Sequence, residues 1–346
     1  MRTIYKEILL LVSLSLIRGE EGLIFNGETH FNTIRQLTFS GENAEAYFSP
    51  DGKELIFQAH DGAGLCDQIY IMDIKSGETR QVSTGGGVTT CSFFEYPNGN
   101  NIIYSSTRSG GKECPPKPDY SMGYVWKLYP DYEIYKADVN GGSLDQLTNS
   151  KGYDAEGTVA FDGSKIVYTS IASGDLEVWT MDPGGQNKKQ LTDRLGYDGG
   201  PFFSHDGNSI VWRAYYPSTD EEISDYIRLL EENTIRPMAL QIWTMNIDGS
   251  NKKQVTNNGA ANFGPFFFPN DKRIIFSSNM HDPKGRNFDL YAINIDGTDL
   301  ERITFFEGFD GFPMFSPDGK FLVFASNRNQ EKQGDTNLFI CEWRYE

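Results

Sequence analysis

One hairpin, repeated, constrains this chain more than any other feature. Residues 309–328 read FDGFPMFSPDGKFLVFASNR. A short apolar run from Phe312 to Phe315 meets the turn Ser316-Pro317-Asp318-Gly319, and Phe321 to Ala325 returns. Proline presets φ in such a turn and glycine accepts the positive φ that closes it. Copies begin at Asn43, Tyr153, Tyr197 and Ala261, and a degraded copy begins at Thr89, which makes six with the first. A supersecondary unit recurring through a chain means an array of stacked units.

Each copy continues into a third strand that alternates apolar and polar residues, as in QIYIMDI from Gln68 and DLYAINI from Asp289. A turn and a short fourth strand of the RQLT type follow. The unit is a four-stranded antiparallel meander, one blade of a propeller. The last copy lacks a fourth strand, and Thr33 to Thr38 (TIRQLT) supplies one from the other end of the chain. The expected fold is therefore all-β: a six-bladed β-propeller over residues 31–346, closed by an N-terminal strand that joins the last blade. The blades fall at about 43–83, 89–148, 153–192, 197–256, 261–304 and 309–346, the last with strand 33–38.

The formal net charge of −17 leaves no basic footprint for nucleic acid. Arg2 and Lys6 precede an apolar run from Ile8 to Ile17, too short to span a bilayer and of the length of a signal-peptide core. Residues 1–22 are read as a signal peptide or N-terminal apolar segment, although Glu7 abuts the run and no small-x-small site follows. The chain is expected to be exported, periplasmic or extracellular, not membrane-spanning and monomeric. Of four cysteines none forms a CxxC pair. Cys66, Cys91 and Cys114 fall near one rim, and Cys66–Cys114 is the simplest disulfide, pinning the long blade 2 loop. Cys341 falls mid-strand and is expected to be buried and inert.

The blades differ in the loop between second and third strands. It is long in blade 2 (Arg108 to Asp131) and in blade 4 (Pro217 to Met238). In blade 4, Ile223, Ile227 and Leu230 stand at helical spacing and predict a short amphipathic helix. Both inserts share a rim with the entrances to the first strands, opposite the SPDG turns. Counting back six residues from each turn gives Asn43, Thr90, Asp154, Asp198, Asn262 and Asp310. Such a ring of short oxygen-bearing side chains could bind calcium, another divalent cation or sugar hydroxyls. It is equally what six copies of one backbone-capping turn would select. Two residues further on, Glu45 and Glu156 face Gly200 and Gly264, which suggests one acidic side of the mouth. Arg108, Arg213, Arg286 and Arg328 lie at second-strand ends, where they could fork onto an anionic ligand or pair with the acids. His60 and His281 are the two metal-ligand candidates, and His205 falls on the far rim.

The SPDG turns, the IYxMDxDG third strands and the RQLT fourth strands together resemble the TolB-like propeller repeats. That resemblance implies the propeller and a non-enzymatic scaffold binding a protein, peptide or glycan partner at the channel mouth. About thirty residues precede the first blade, so the α/β domain that TolB carries there is not expected. Prolyl-oligopeptidase-like enzymes share the repeats but need a GxSxG elbow, and the chain contains none. Oligogalacturonate lyases hold a metal through several propeller histidines, whereas this chain has four histidines in all. The alternative is a metal-assisted lyase or hydrolase acting on an acidic polysaccharide or peptide.

Overall fold

A computed structural model describes residues 22–345, apart from 63, 64, 122 and 141. The expected signal segment lies, but for its last residue, outside the described residues. Six four-stranded antiparallel sheets form the six blades. Blade 1 comprises Glu42–Phe48, Glu54–His60, Gln68–Asp73 and Thr79–Gln81, and its order recurs in every blade. Second and third strands are covered on both faces by neighbouring blades. They therefore read as near-continuous apolar runs, such as Ile102, Ile103 and Tyr104 or Leu322, Val323 and Phe324.

The ring closes as expected. Phe31–Gln36 pairs antiparallel with Asn337–Trp343, with Ile34 opposite Cys341. The ladder sits two residues earlier than the sequence suggested, because Thr38 leaves it. Its hydroxyl instead accepts a hydrogen bond from the Leu338 N–H at 2.9 Å. The same bond recurs in the other five blades, where the N–H of the second residue of the third strand donates to Ser83, Thr148, Thr192, Thr256 or Thr304 at 2.8–3.0 Å. This explains the invariant hydroxyl that ends each fourth strand.

Closure is also ionic. Arg328, 1% exposed, bonds Asp310 of its own blade at 2.8 Å and Glu28 of the N-terminal segment at 3.1 Å. Leu23 contributes a carbonyl acceptor at 2.9 Å. Two of the charges expected at the mouth are thus a closure lock, since one guanidinium offset by two carboxylates cannot be left partnerless in a core.

Helix α1 (Asp220–Glu231) forms in the blade 4 insert. Thr219 caps it, and Glu222 returns the bond to complete a capping box. The packed face is Tyr226 and Leu229. Ile227, expected on that face, is 42% exposed. The Tyr226 hydroxyl sets the rotation by reaching Asp175 at 2.5 Å and the Gly196 carbonyl at 2.6 Å. Among the described residues no helix is long and apolar enough to cross a membrane.

Replacing Arg328 by alanine leaves Glu28 and Asp310 buried without a cation. We expect a loss of about 3–5 kcal/mol in urea unfolding, with the N-terminal strand detaching first by hydrogen exchange.

Candidate functional site

The first or second residue of each first strand forms the seam between blades. The N–H groups of Asn43, Thr89, Asp154, Asp198, Asn262 and Asp310 each donate to a carbonyl just before the preceding blade's third strand, at 2.8–3.1 Å. The equivalent in blade 2 is Thr89, opposite Ser106, and not Thr90. The degraded turn there carries one extra residue, which shifted the count. Asn43, Asp154, Asp198, Asn262 and Asp310 are all buried. They face the polar heads of the third strands, among them Glu133, Glu177, Gln241, Asp289 and Asn337, which are buried too. The expected ring exists, therefore, but it staples blades together and does not line the mouth.

The seams are of two kinds. Three pair amides or hydroxyls: Gln68 with Thr89, Gln241 with Asn262, and Asn337 with Asn43. Three pair acids: Glu133 with Asp154, Glu177 with Asp198, and Asp289 with Asp310. Among the described residues five of these six acids have one buried oxygen without a hydrogen-bond partner, and the sixth, Asp289, has Arg302 and His281 at its own. Arg302 and Arg328 supply cations to the last pair. In the other two seams burial pushes Glu133 up to about 7, Glu177 up to about 8 and Asp198 up to about 7, and it raises Asp154. A carboxyl that keeps its proton stands here in the place of an amide.

The channel wall is built two residues further on. Every first strand carries a bulge at that point. The bulged residues Glu45, Cys91, Glu156, Gly200, Gly264 and Phe312 all take left-handed φ, between 50° and 58°. A bulge re-aims its side chain, and here all six positions line one cavity. Blades 1 to 3 contribute Glu45, Cys91 and Glu156; blades 4 to 6 contribute two glycines and Phe312. The acidic side read from Glu45 and Glu156 is this wall.

Two residues deeper stand Tyr47, Phe93, Thr158, Phe202, Phe266 and Met314, all buried. Tyr47 of blade 1 meets Phe202 of blade 4, directly across the ring, at 5.5 Å between ring centroids. Phe93 and Phe266 pack on the same pair. The channel is thus blocked at this level and forms a blind chamber open toward the insert rim. Its cavity of about 20 Å³ accommodates one water-sized group.

Glu156 is fully engaged within the chamber. It pairs with Arg213 and accepts from the Thr169 hydroxyl at 2.8 Å and the Gly200 N–H at 2.9 Å. Gly200 is required here, since a Cβ would fall 1.9 Å from Arg213 Nη1. Arg213 was expected either to pair or to bind an anion, and it pairs. Among the described residues Glu45 has no such cation within ion-pair distance. Desolvation and the neighbouring Glu156 push its carboxyl up to about 7.

The two inserts form one structure above this chamber. Cys66 and Cys114 are joined, tying the blade 2 insert to blade 1. Trp126–Lys127 pairs antiparallel with Thr234–Ile235 of the blade 4 insert. Trp126 lies against Tyr197 and 5.0 Å from the Arg213 guanidinium. Arg286, from blade 5, sits 5.5 Å over the Tyr124 ring. A segment rooted in blade 2 that touches blades 1, 4 and 5 crosses the mouth. Tyr120 and Tyr124 stack on it at 5.9 Å and are 51% and 53% exposed. Arg108 lies over Tyr135, away from this group. His60 bonds Asp67 at 2.6 Å, and His281 approaches Asp289 at 3.1 Å, on separate blades. His205, on the far rim, pairs with Asp271. Cys341 is buried, and burial raises its thiol pKa. Among the described residues no three His, Cys, Asp or Glu side chains converge to hold a metal. Sequence reasoning missed Cys91, Phe312 and the blocking aromatics. Their signal was available as the second and fourth positions after each strand head.

Fold and site together define a closed six-bladed propeller whose central channel is a blind, strapped chamber. The family model described as the TolB beta propeller domain matches residues 235–339, which bears out the TolB-like reading of the repeats. TolB from Acinetobacter baumannii is 17% identical, with a TM-score of 0.56 over 78% of this chain and 55% of that one. The present chain thus spans about half the length of that protein. A putative TolB from Agrobacterium tumefaciens is 18% identical, with a TM-score of 0.60 over 88% and 91% of the two chains. Oligogalacturonate lyase from Vibrio parahaemolyticus is 13% identical, with a TM-score of 0.52 over 92% and 95%. At these identities the likeness is one of fold.

The seams predict a pH dependence. Glu133, Asp154, Glu177 and Asp198 hold protons in the folded chain to higher pH than their ordinary values of 4.5 and 3.8. The folded state therefore binds more protons between about pH 4 and pH 8, and stability falls as pH rises through that window. Urea midpoints are expected to be higher at pH 5 than at pH 8.5, and the double substitution Glu177→Gln, Asp198→Asn to flatten the slope.

Proposed function

We propose that the chain is a non-catalytic binding scaffold that engages a protein, peptide or glycan partner at the insert rim. The observation that carries this reading is the strap, which holds the stacked Tyr120 and Tyr124 exposed above the chamber. Rigid tyrosines offer large amphipathic contact area at small entropic cost. The inter-insert sheet and the disulfide fix them before any partner arrives, which reduces the ordering cost of binding. The disulfide also supports export to an oxidising compartment, periplasmic or extracellular, with the scaffold acting as a monomer.

A second reading draws on the chamber carboxylates Glu45 and Glu156: a metal-assisted lyase or hydrolase acting on an acidic polysaccharide or peptide. Calcium or another divalent cation would sit against those two side chains, and His60 and His281 stand apart from them. A stoichiometric transition metal in purified protein, together with turnover of such a polymer, would favour this reading; calcium alone would not.

Peptide and glycan arrays probed with wild type and with Tyr120→Ser, Tyr124→Ser test the scaffold. Aromatic anchors at the centre of an interface carry about 2 kcal/mol or more each. The double variant should lose most of its signal while melting at the wild-type temperature. Equal binding by both proteins would remove the ledge from the account.

A further inference from the structure

The chamber has a chemical preference that its walls spell out. Its two carboxylates are not equivalent: Glu156 is matched by Arg213, and Glu45 is left without a cation. The groups facing Glu45 are Glu156 and Asp67, which raise its carboxyl, and the Cys91 thiol and Arg213, which lower it. In blade 6, the next blade of the ring, the wall is aromatic. Phe312 lines the cavity and packs with Phe263 at 5.3 Å and with Phe309 at 6.2 Å. The floor is blocked by Tyr47 and Phe202, so nothing passes through, and the space holds one water-sized group. An ammonium is about that size, carries the missing charge and is attracted to ring faces.

We propose that the chamber is a binding site for a primary ammonium group, seated between Glu45 and the ring of Phe312. One or two of the ammonium hydrogens meet the Glu45 carboxylate, and the aliphatic stem leaves past Phe312 toward the insert rim. The same head group arrives on a free alkylamine or on a lysine side chain. The site rests on the reading of this rim as the binding face, yet the two fail separately, because loss of array binding tests the tyrosine ledge and a small amine tests the chamber.

The test is calorimetric titration of the full chain with butylammonium chloride, with butanol as the uncharged control and Nα-acetyl-lysine methylamide as the lysine arm. Butylammonium should bind saturably at pH 8 and roughly tenfold more weakly at pH 6, because a carboxyl titrating near 7 is mostly protonated there. Butanol should not bind. Binding of the lysine derivative assigns the site to side chains of a partner, and its exclusion assigns it to free amines. Glu45→Gln should abolish binding and its pH dependence. Phe312→Leu should weaken binding while leaving the pH dependence in place, which guards against a folding defect in the first variant. Equal binding of butanol, unchanged binding by Glu45→Gln, or no saturable binding of either amine overturns the proposal.

Discussion

Everything in this propeller depends on the hydrogen bond that crosses each seam. A four-stranded blade cannot bury both faces by itself, so its stability is shared with its neighbours. The N–H at the head of each first strand is fixed to the preceding blade at 2.8–3.1 Å in all six seams. That bond sets the depth at which every first strand enters the ring. Because the depth is common, the bulged residue two places on always reaches the channel wall, and the residue two further always reaches its floor. Scaffold and site are therefore one construction.

This coupling divides the polar residues of each repeat into two jobs. The strand heads are engaged in blade-to-blade bonding, and the hydroxyls of the fourth strands in bonding within each blade. The bulged positions all accept a left-handed backbone, which costs on the order of 1 kcal/mol for a residue with a side chain, and of them Glu156 and Gly200 also bond across the seam between blades 3 and 4. Variation is concentrated there: Glu, Cys and Glu on one side, Gly, Gly and Phe on the other. The four non-glycine residues retain that strain in a position where any side chain faces the chamber.

The fold was legible because the repeat is periodic and its turn chemistry is explicit. Strand Phe31–Gln36 could be assigned to the last blade from its RQLT ending alone, and the Cys66–Cys114 bond from a shared rim. The site was legible only in part. Asp154 and Asp310 have the residue type of a ligand ring, and sequence does not distinguish a carboxylate that faces a neighbouring blade from one that faces a channel. Glu45 and Glu156 were found because they break the repeat. Arg328 pairs with Asp310, one of the two outcomes the sequence left open, and its second partner Glu28 escaped notice because it lies outside the repeats altogether. The rotation of helix α1 depended on one tyrosine hydroxyl finding Asp175, a long-range contact that local periodicity does not encode.

The central claim is that binding occurs on the strapped rim and not on the rim of SPDG turns. Hydroxyl-radical footprinting of the protein with and without a bound partner decides this most directly. Tyr120, Tyr124 and Trp126 should be protected, with Pro50, Phe161 and Pro317 near the opposite turns unchanged. Protection confined to the turn rim would contradict that claim.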